Sequence, residues 1–214
     1  CRAVRVYGST EVPLVTVGFV ANDETHLAAE TDGRVFNYEV KICDDDGQDA
    51  GRNADGEIWV RGPAMMQGYR DAEQNAAAFS EEGFFKTGDI GQLLDSEAIV
   101  ITDRKKDIII RGGENLSARE IEEIILLHPA VAEAAAVSAP HERLGEGVAV
   151  FVTLYGNEAP TLAMLTALCA EHQLAKQKWP QWLSVVAEMP KTPSGKIQKA
   201  TLRAQLKEQG VQLS

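Results

Sequence analysis

Hydrophobic and polar residues alternate over residues 35–43, in the first half of the chain. Phe36, Tyr38, Val40 and Ile42 fall on one side of an extended backbone, and polar residues occupy the positions between them. Successive side chains of a β-strand point to opposite faces of its sheet. The period of two therefore predicts a strand with one buried face.

The rest of the first half has the same strand-like character. Three aspartates and a glycine at positions 44–47 end the first strand, and residues 57–61 are predicted to return beside it. Residues 3–6 and 98–102 have the short apolar pattern of further strands. Since only residues 71–79 are predicted to form a helix, we expect this half to be mainly β.

Strands and helices alternate in the second half. Ser117 and Glu120 have the spacing of a capping box, and the apolar stripe that follows extends to His128, after which Pro129 is predicted to end the helix. On this pattern His128 is interpreted as a helix-end residue rather than a ligand. The other predicted elements are, in chain order, strands 108–110, 131–138 and 148–155, helix 161–172, strand 182–187 and helix 199–207.

The composition is typical of a soluble globular protein, with 44% hydrophobic and 25% charged residues among 214. It excludes a disordered chain, a collagen-like chain and a disulfide scaffold, and the apolar stretches are too short for a membrane helix. Cys1, Cys43 and Cys169 lie far apart, form no metal knuckle and suit a reducing cytoplasm. Because the chain starts at Cys1 without a signal-peptide region, we expect a piece of a longer, cytoplasmic protein.

The net charge of −11 argues against nucleic acid or an anionic membrane as the main partner. The charge is also unevenly spread. Residues 1–103 contain 8 Lys and Arg against 20 Asp and Glu, whereas residues 104–214 contain 13 against 12. This break predicts two structural units with a border at residues 103–107, although a solvated charged turn would explain the basic cluster there equally well.

Two common ion-binding and phosphate-binding motifs are excluded by single positions. A calcium loop in the acidic run would need Asp or Asn where Gln48 stands and glycine where Asp49 stands. A Walker A loop ending at Lys196 would need glycine in place of Pro190 and Ser or Thr in place of Ile197.

The segment from Tyr7 to Glu11 combines residues that suit a bound nucleotide. Gly8 allows close backbone approach, Ser9 and Thr10 offer hydroxyls to phosphate oxygens, and the Glu11 carboxylate is a hard ligand suited to Mg²⁺. An ordinary polar turn would account for the same residues.

Two further groups have the chemistry of a nucleotide site. The acceptor-only carboxylate of Asp89 can bind both hydroxyls of a ribose, or it can lie in a simple turn between strands. Lys196, on a loop rich in proline and serine, can bring its ammonium to a carboxylate and a phosphate together, or it can be an exposed loop lysine.

In this order and spacing the segments resemble the C-terminal half of the adenylate-forming (AMP-binding) enzymes, which include acyl-CoA synthetases, peptide-synthetase adenylation domains and luciferases. The resemblance covers essentially the whole chain and is greatest to acid–CoA ligases. It is carried by six stretches: residues 7–11, 56–63 with 68–69, 83–89, 104–107, 111–115 and 190–196.

The resemblance implies a role for each residue of the nucleotide site. Thr10 would bind ATP phosphate, Glu11 would hold Mg²⁺, Asp89 and Arg104 would grip the ribose, and Tyr7 would pack near the adenine. The set is completed by Gly8, Ser9 and Lys196. Lys196 would bridge the α-phosphate and the carboxylate of the acid, and with Thr10 and Glu11 it would form the catalytic group.

The resemblance also implies an α+β fold in two domains. Residues 1–103 would be the C-terminal part of the large AMP-binding domain, mainly a distorted β-barrel. Residues 104–106 would be a hinge that pivots at Lys106, and residues 107–214 would be a small α+β lid. By rotation the lid would present either Lys196 or Gly112 and Gly113, beside which the pantetheine of coenzyme A would pass. Leu144 would contact CoA without the stacking that an aromatic residue provides in some relatives.

The implied function is an ATP-dependent acid–CoA ligase for a medium-chain, alicyclic or aromatic acid, with ATP, Mg²⁺ and coenzyme A as cofactors. Two alternatives stay open: an adenylating enzyme that loads a separate carrier protein, and a non-catalytic remnant of the fold. The family's phosphate loop and most of its acyl pocket precede the segment that starts at Tyr7. We therefore expect these 214 residues alone to be inactive. The resemblance leaves the oligomeric state open, a dimer included.

Overall fold

The computed structural model describes residues 3–214, so Cys1 lies outside the described residues. The chain forms two compact units, which divide between Lys105 and Lys106. Both units combine strands with helices, and the predicted α+β fold class is confirmed. The domain roles and the hinge at Lys106 stay predictions.

The first unit contains six strands and two short helices. A two-stranded antiparallel sheet pairs β1 with β2, and a four-stranded antiparallel sheet has the order β3-β4-β5-β6. The elements are β1 (Thr16–Val17), α1 (Thr25–Glu30), β2 (Arg34–Val35), β3 (Glu39–Cys43), β4 (Gly56–Arg61), α2 (Ala72–Ala78), β5 (Phe85–Leu93) and β6 (Ile99–Arg104).

The prediction of a distorted β-barrel is wrong, because the larger sheet is open. Its two edge strands are β3 and β6. Among residues 3–214, β3 pairs with β4 and with no further strand, and β6 pairs with β5 and with no further strand. Apolar residues from β3, β4 and β5 form the core of the unit on this sheet, with Ile42, Ile58 and Val60 almost fully buried. The apolar face of the sheet is thus buried against segments outside the sheet, rather than inside a closed barrel.

The predicted strand over residues 35–43 is interrupted at Asn37, whose φ is 58°. The chain therefore turns between β2, which pairs with β1, and β3, which pairs with β4. Phe36, assigned to the buried face by the alternation, is 51% exposed. The strand predicted over residues 3–6 is also wrong, because these residues join no ladder. Periodicity specifies a face, but it does not supply a hydrogen-bonded partner.

The longest strand of the first unit, β5, contains a bulge. Glu57 of β4 pairs with Ile90 of β5, and Trp59 pairs with Lys86. Two steps along β4 therefore correspond to four steps along β5. The two extra residues are accommodated by Gly88, whose φ of 71° lies in the left-handed region. The sequence suggested only a turn here.

The second unit is built on a mixed sheet of five strands with β10 at its centre. β9 pairs antiparallel along the whole length of β10, β11 pairs parallel, and Arg111 of β7 pairs at Gly145. The elements are β7 (Ile109–Arg111), β8 (Glu114–Leu116), α3 (Ala118–Ile125), β9 (Val131–His141), β10 (Gly145–Leu154), α4 (Leu162–Glu171), β11 (Trp182–Val185) and α5 (Lys199–Glu208).

Both faces of this sheet are covered. One face packs against α3 and α4 through residues such as Ile121 and Leu165, and the other packs against α5 through Leu202 and Leu206. This explains why β9 and β10 have continuous apolar runs rather than an alternating pattern. Cys169 of α4 is fully buried in this core.

The helix caps follow the sequence closely. The side-chain oxygens of Ser117 and Asp71 accept from the backbone N–H three residues on, so the N-terminus of α3 and the predicted helix α2 are both confirmed. α3 ends at Ile125, earlier than Pro129. The chain leaves it through tight turns in which Leu127 N donates to Ile124 O and His128 N to Ile125 O.

Among residues 3–214, no helix combines the length and the apolar composition that crossing a membrane would require.

We predict that Gly88→Ala destabilises the chain by about 1–2 kcal/mol, because an L-residue at positive φ brings Cβ against the following carbonyl. Among residues 3–214, no atom outside Gly88 and its two chain neighbours lies within 4 Å of the added Cβ, so the expected cost is backbone strain. The measurement is the free energy of unfolding in urea.

Gly156→Ala is the matched control, because an added Cβ there also has open space and no positive φ is recorded. It is expected to leave stability unchanged or to raise it by up to about 1 kcal/mol. Equal effects of the two substitutions would contradict the role of the bulge.

Candidate active site

The Asp89 carboxylate is the centre of a polar cluster in the first unit. Its Oδ2 accepts from the Tyr7 hydroxyl at 2.7 Å, and its Oδ1 lies 2.9 Å from Arg104 Nε. Asp89 and Arg104 are paired positions on β5 and β6, so the sheet register sets this ion pair. Asp89 is buried, and Arg104 is about half exposed. The carboxylate is therefore held by two partners, one on each oxygen.

Tyr7 lies in the core of the first unit, and its hydroxyl reaches Asp89. Burial raises the pKa of its phenol far above the ordinary value, and the negative charge of Asp89 raises it further. The hydroxyl therefore remains a donor at every physiological pH. The backbone N–H of Tyr7 donates to Thr16 Oγ1 at 2.6 Å, and this hydrogen bond fixes the backbone at Tyr7. The adenine contact expected for Tyr7 stays a prediction.

The Glu11 carboxylate is held in its ionised form by two hydroxyls. Ser9 Oγ donates to Oε2 at 2.8 Å and the Tyr69 hydroxyl donates to Oε1 at 3.1 Å. These hydrogen bonds, that of Ser9 above all, lower the pKa of Glu11, and the positive charge of Arg104 adds to the effect. Ser9 Oγ also accepts from the backbone N–H of Glu11 and Val12, which closes the turn. Glu11 is partly exposed, and anionic carboxylate oxygens are ligands that suit Mg²⁺.

Gly8 and Thr10 flank this turn, and both are exposed. A Cβ at Gly8 would lie 2.6 Å from the backbone nitrogen of Leu14, so only glycine fits where the turn folds back on itself. The close approach predicted for Gly8 is thus made to the protein's own backbone. The exposed Thr10 hydroxyl is available to an external acceptor.

No group of three or more His, Cys, Asp or Glu side chains is arranged around a possible ion in the described part of the chain. Mg²⁺ in nucleotide sites is commonly bound by one or two carboxylates together with phosphate oxygens. Glu11 is the residue present that fits this donor set.

Three contributors to this cluster were missed by sequence reasoning. Glu57 and Thr87 bind the bulge that carries Asp89, and Tyr69 binds Glu11. All three lie within stretches that carry the family resemblance. Only the fold shows what each contacts.

Lys196 belongs to the second unit, where it lies exposed on a tight turn after β11. Thr192 closes the turn, because its N–H donates to Lys196 O at 2.8 Å and its Oγ1 accepts from Lys196 N at 3.1 Å. The neighbouring Lys191 is paired with Glu133 of β9 at 2.6 Å. The ammonium of Lys196 is thus presented on an anchored turn.

A cleft of about 600 Å³ in the second unit brings together two of the residues assigned to CoA. Gly112 N donates to Leu144 O at 2.9 Å, and both residues line the cleft. The lining also includes Arg111, Lys176 and Trp179, which sequence reasoning did not select. Gly113 has a φ of 86° and is exposed beside the cleft.

Comparison with protein families gives two matches along the chain. The model of the AMP-binding enzyme matches residues 1–70, and that of the AMP-binding enzyme C-terminal domain matches residues 120–196. The chain is 39% identical over 206 residues to the medium-chain fatty-acid–CoA ligase of Escherichia coli K12, covering 94% of this chain and 36% of the relative. It is also 39% identical over 211 residues to the 2,3-dihydroxybenzoate-AMP ligase of Bacillus subtilis, covering 97% and 39%.

The o-succinylbenzoate CoA synthetase (MenE) of Bacillus subtilis is a similar solved structure. Its complex with the acyl-adenylate OSB-AMP matches with a TM-score of 0.82 and 33% identity, over 93% of this chain and 40% of that one. Its complex with ATP and magnesium matches with a TM-score of 0.79 and 34% identity, over 95% and 41%. The chain spans between a third and two fifths of the two curated relatives. The chain belongs to the AMP-binding family of adenylate-forming enzymes.

Proposed function

We propose that these residues are the C-terminal part of an ATP-dependent acid–CoA ligase. The observation that carries the proposal is the cluster in which Asp89 is held by Tyr7 and Arg104, while the ionised Glu11 lies within reach of the Arg104 charge. An acceptor-only carboxylate beside a guanidinium suits ribose hydroxyls, and a second, ionised carboxylate suits a metal that accompanies phosphates.

The chemistry that fits these groups is activation of a carboxylic acid. A carboxylate is a poor acyl donor because oxide would have to leave. Attack on the α-phosphate of ATP expels pyrophosphate and gives an acyl-adenylate, from which a thiol displaces AMP. The negative charge that develops in the first step would be met by Lys196 and by the Thr10 hydroxyl. Mg²⁺, when held by Glu11, would neutralise phosphate charge.

The acceptor proposed for the second step is coenzyme A. The cleft of Gly112 and Leu144 is also lined by two cationic side chains, Arg111 and Lys176, and these suit the phosphates of CoA. The Arg111 guanidinium is anchored beside the cleft, because its Nη1 donates to the backbone oxygen of Gln177. Gly112 and Gly113, without side chains, leave room for the pantetheine arm.

The second candidate acceptor is the phosphopantetheine of a separate carrier protein. The specific observation in its favour is the 39% identity to an AMP ligase, which equals the identity to a CoA ligase. The proposed substrate is a medium-chain, alicyclic or aromatic acid. We also propose that the lid rotates about Lys106 and that the protein acts in a reducing cytoplasm. Cytoplasmic location is supported by the free thiols of Cys43 and Cys169.

The test of this proposal is a panel of acids given to the complete protein with ATP and either CoA or a phosphopantetheinylated carrier. We expect release of pyrophosphate with medium-chain, alicyclic or aromatic acids and thioester formation with free CoA. Thioester on the carrier alone would favour the second candidate. No pyrophosphate release with any acid would contradict adenylation.

We predict that Lys196→Ala lowers the rate of adenylation by at least about 100-fold, because the ammonium stabilises charge only in that step. Thioester formation from supplied acyl-adenylate should be largely retained. Stopped-flow or discontinuous assays of each half-reaction measure the two rates. Lys207→Ala, which removes an exposed lysine from α5, is the matched control and should alter neither. Equal loss in both steps would contradict the role of Lys196.

We predict that Ser9→Ala shifts the acid limb of the pH–rate profile for adenylation to higher pH. The Ser9 hydroxyl stabilises the ionised form of Glu11, so its removal raises the pKa of this carboxyl toward the ordinary value. Glu11 is then protonated, and unable to bind a cation, at a higher pH than before. Pyrophosphate exchange measured across the acidic range gives the limb.

Ser80→Ala is the matched control for this profile. Ser80 Oγ accepts from Phe84 N, and this serine makes no recorded contact with Glu11. Its profile should overlay that of the wild type. An unchanged acid limb in Ser9→Ala would show that Glu11 does not limit the reaction at low pH.

A further inference from the structure

Glu57 is a buried carboxylate in the first unit that binds two different segments. Its Oε1 accepts from the backbone N–H of Gly88 at 3.1 Å, and its Oε2 accepts from Lys105 Nζ at 3.1 Å. The Glu57 side chain is only 9% exposed. A charge so poorly solvated is costly unless it is paired and hydrogen-bonded, so both contacts contribute to holding it there.

The first contact fixes the bulge of β5. Gly88 N cannot donate to a β4 carbonyl in the regular ladder, because β5 has two extra residues at this point. The Glu57 carboxylate takes the place of that carbonyl. Thr87 Oγ1 satisfies the other groups of the bulge, donating to Ile58 O at 2.7 Å and accepting from Asp89 N at 3.1 Å. The residue after Gly88 is Asp89.

The second contact fixes the end of β6. Lys105 follows Arg104 directly, and its ammonium is about half exposed, with Asp45 at 4.0 Å on its outer side. The paired residues Asp89 and Arg104 are therefore each next in sequence to a partner of Glu57. Gly88 precedes Asp89 on β5, and Lys105 follows Arg104 just beyond β6. Glu57 touches neither Asp89 nor Arg104 in a recorded hydrogen bond or ion pair. Any effect it has on them acts through the backbone.

We propose that Glu57 is a positioning residue, whose carboxylate ties Gly88 to Lys105 and thereby keeps Asp89 and Arg104 in register for the ribose hydroxyls. The inference rests on the proposed function, because it requires that Asp89 and Arg104 bind the ribose. Displacement of a binding group by a fraction of an ångström is enough to weaken its hydrogen bonds, so the effect belongs to nucleotide recognition rather than to thiol transfer.

The experiment compares ATP with 2′-deoxy-ATP in pyrophosphate release by the complete protein. Wild type is expected to prefer ATP, since a site built to bind a hydroxyl rejects the analogue that lacks it. Glu57→Gln keeps an acceptor for Gly88 but loses the charge that holds Lys105. We expect the KM for ATP to rise about tenfold, kcat to change less than about threefold, and most of the preference for ATP to be lost.

Glu39→Gln is the matched control. It replaces a glutamate of β3 in the same sheet, and the ion pair that Glu39 forms within residues 3–214 is with Arg61, on the surface. It should retain the wild-type preference. Lys105→Met is a second variant that tests the same contact if Glu57→Gln misfolds. It removes the partner of Glu57 at a half-exposed position, where a substitution disturbs the core less. Lys105→Met should reduce the preference in the same direction, and it decides the question if Glu57→Gln does not fold.

The double variant Glu57→Gln with Asp89→Asn separates positioning from a general loss of stability. If Glu57 acts through Asp89, its substitution adds nothing once Asp89 is replaced. Additive losses, or a wild-type preference in both Glu57→Gln and Lys105→Met, would overturn the inference and leave the proposed function intact. A wild-type preference in Asp89→Asn alone would overturn the ribose assignment, and the inference with it.

Discussion

Two buried carboxylates, Asp89 and Glu57, impose the constraint on which the first unit depends. Each forms an ion pair, each is less than a tenth exposed, and each finds donors in neighbouring segments. Asp89 is bound by the Tyr7 hydroxyl and by Arg104 at the end of β6. Glu57 is bound by the backbone N–H of Gly88 in the β5 bulge and by Lys105. The sheet register and the polar cluster are therefore one arrangement, since a slip of β5 would leave both charges without partners.

The second unit is stabilised mainly by apolar packing. Its sheet is covered on both faces by helices, and the side chains that pack between sheet and helices form two apolar clusters. The polar groups of interest lie at its edges, on the turn of Lys196 and around the cleft beside Gly112. Placing exposed loops on a rigid core is the common way in which folds keep reactive groups mobile enough to act and fixed enough to be specific.

Similarity to relatives bears more strongly on the first chemical step than on the second. A CoA ligase and an AMP ligase are equally similar to this chain, although their names imply different acceptors. The groups around Asp89 and Glu11 suit the nucleotide, which both reactions share. The proposed acceptor site is instead the cleft of the second unit, so the experiment must distinguish CoA from a carrier.

The sequence by itself determined the chemistry of the site and most of the regular elements. Caps at Ser117 and Asp71, the apolar strands of the second unit and the burial of Cys169 follow from local spacing and hydropathy, because these effects act over a few residues. Asp89 and Glu11 were selected by the chemistry of their carboxylates, and Arg104 and Tyr7 by the family resemblance. Asp89, Arg104 and Tyr7 meet directly in the fold.

Only the tertiary structure decided which residues support that chemistry. The open sheet, the break at Asn37 and the bulge at Gly88 depend on pairing between strands far apart in the chain, which no local pattern encodes. For the same reason Glu57 was visible in the sequence but had no role. Its two partners, Gly88 and Lys105, are 31 and 48 residues away, and only folding brings a charge to both of them at once.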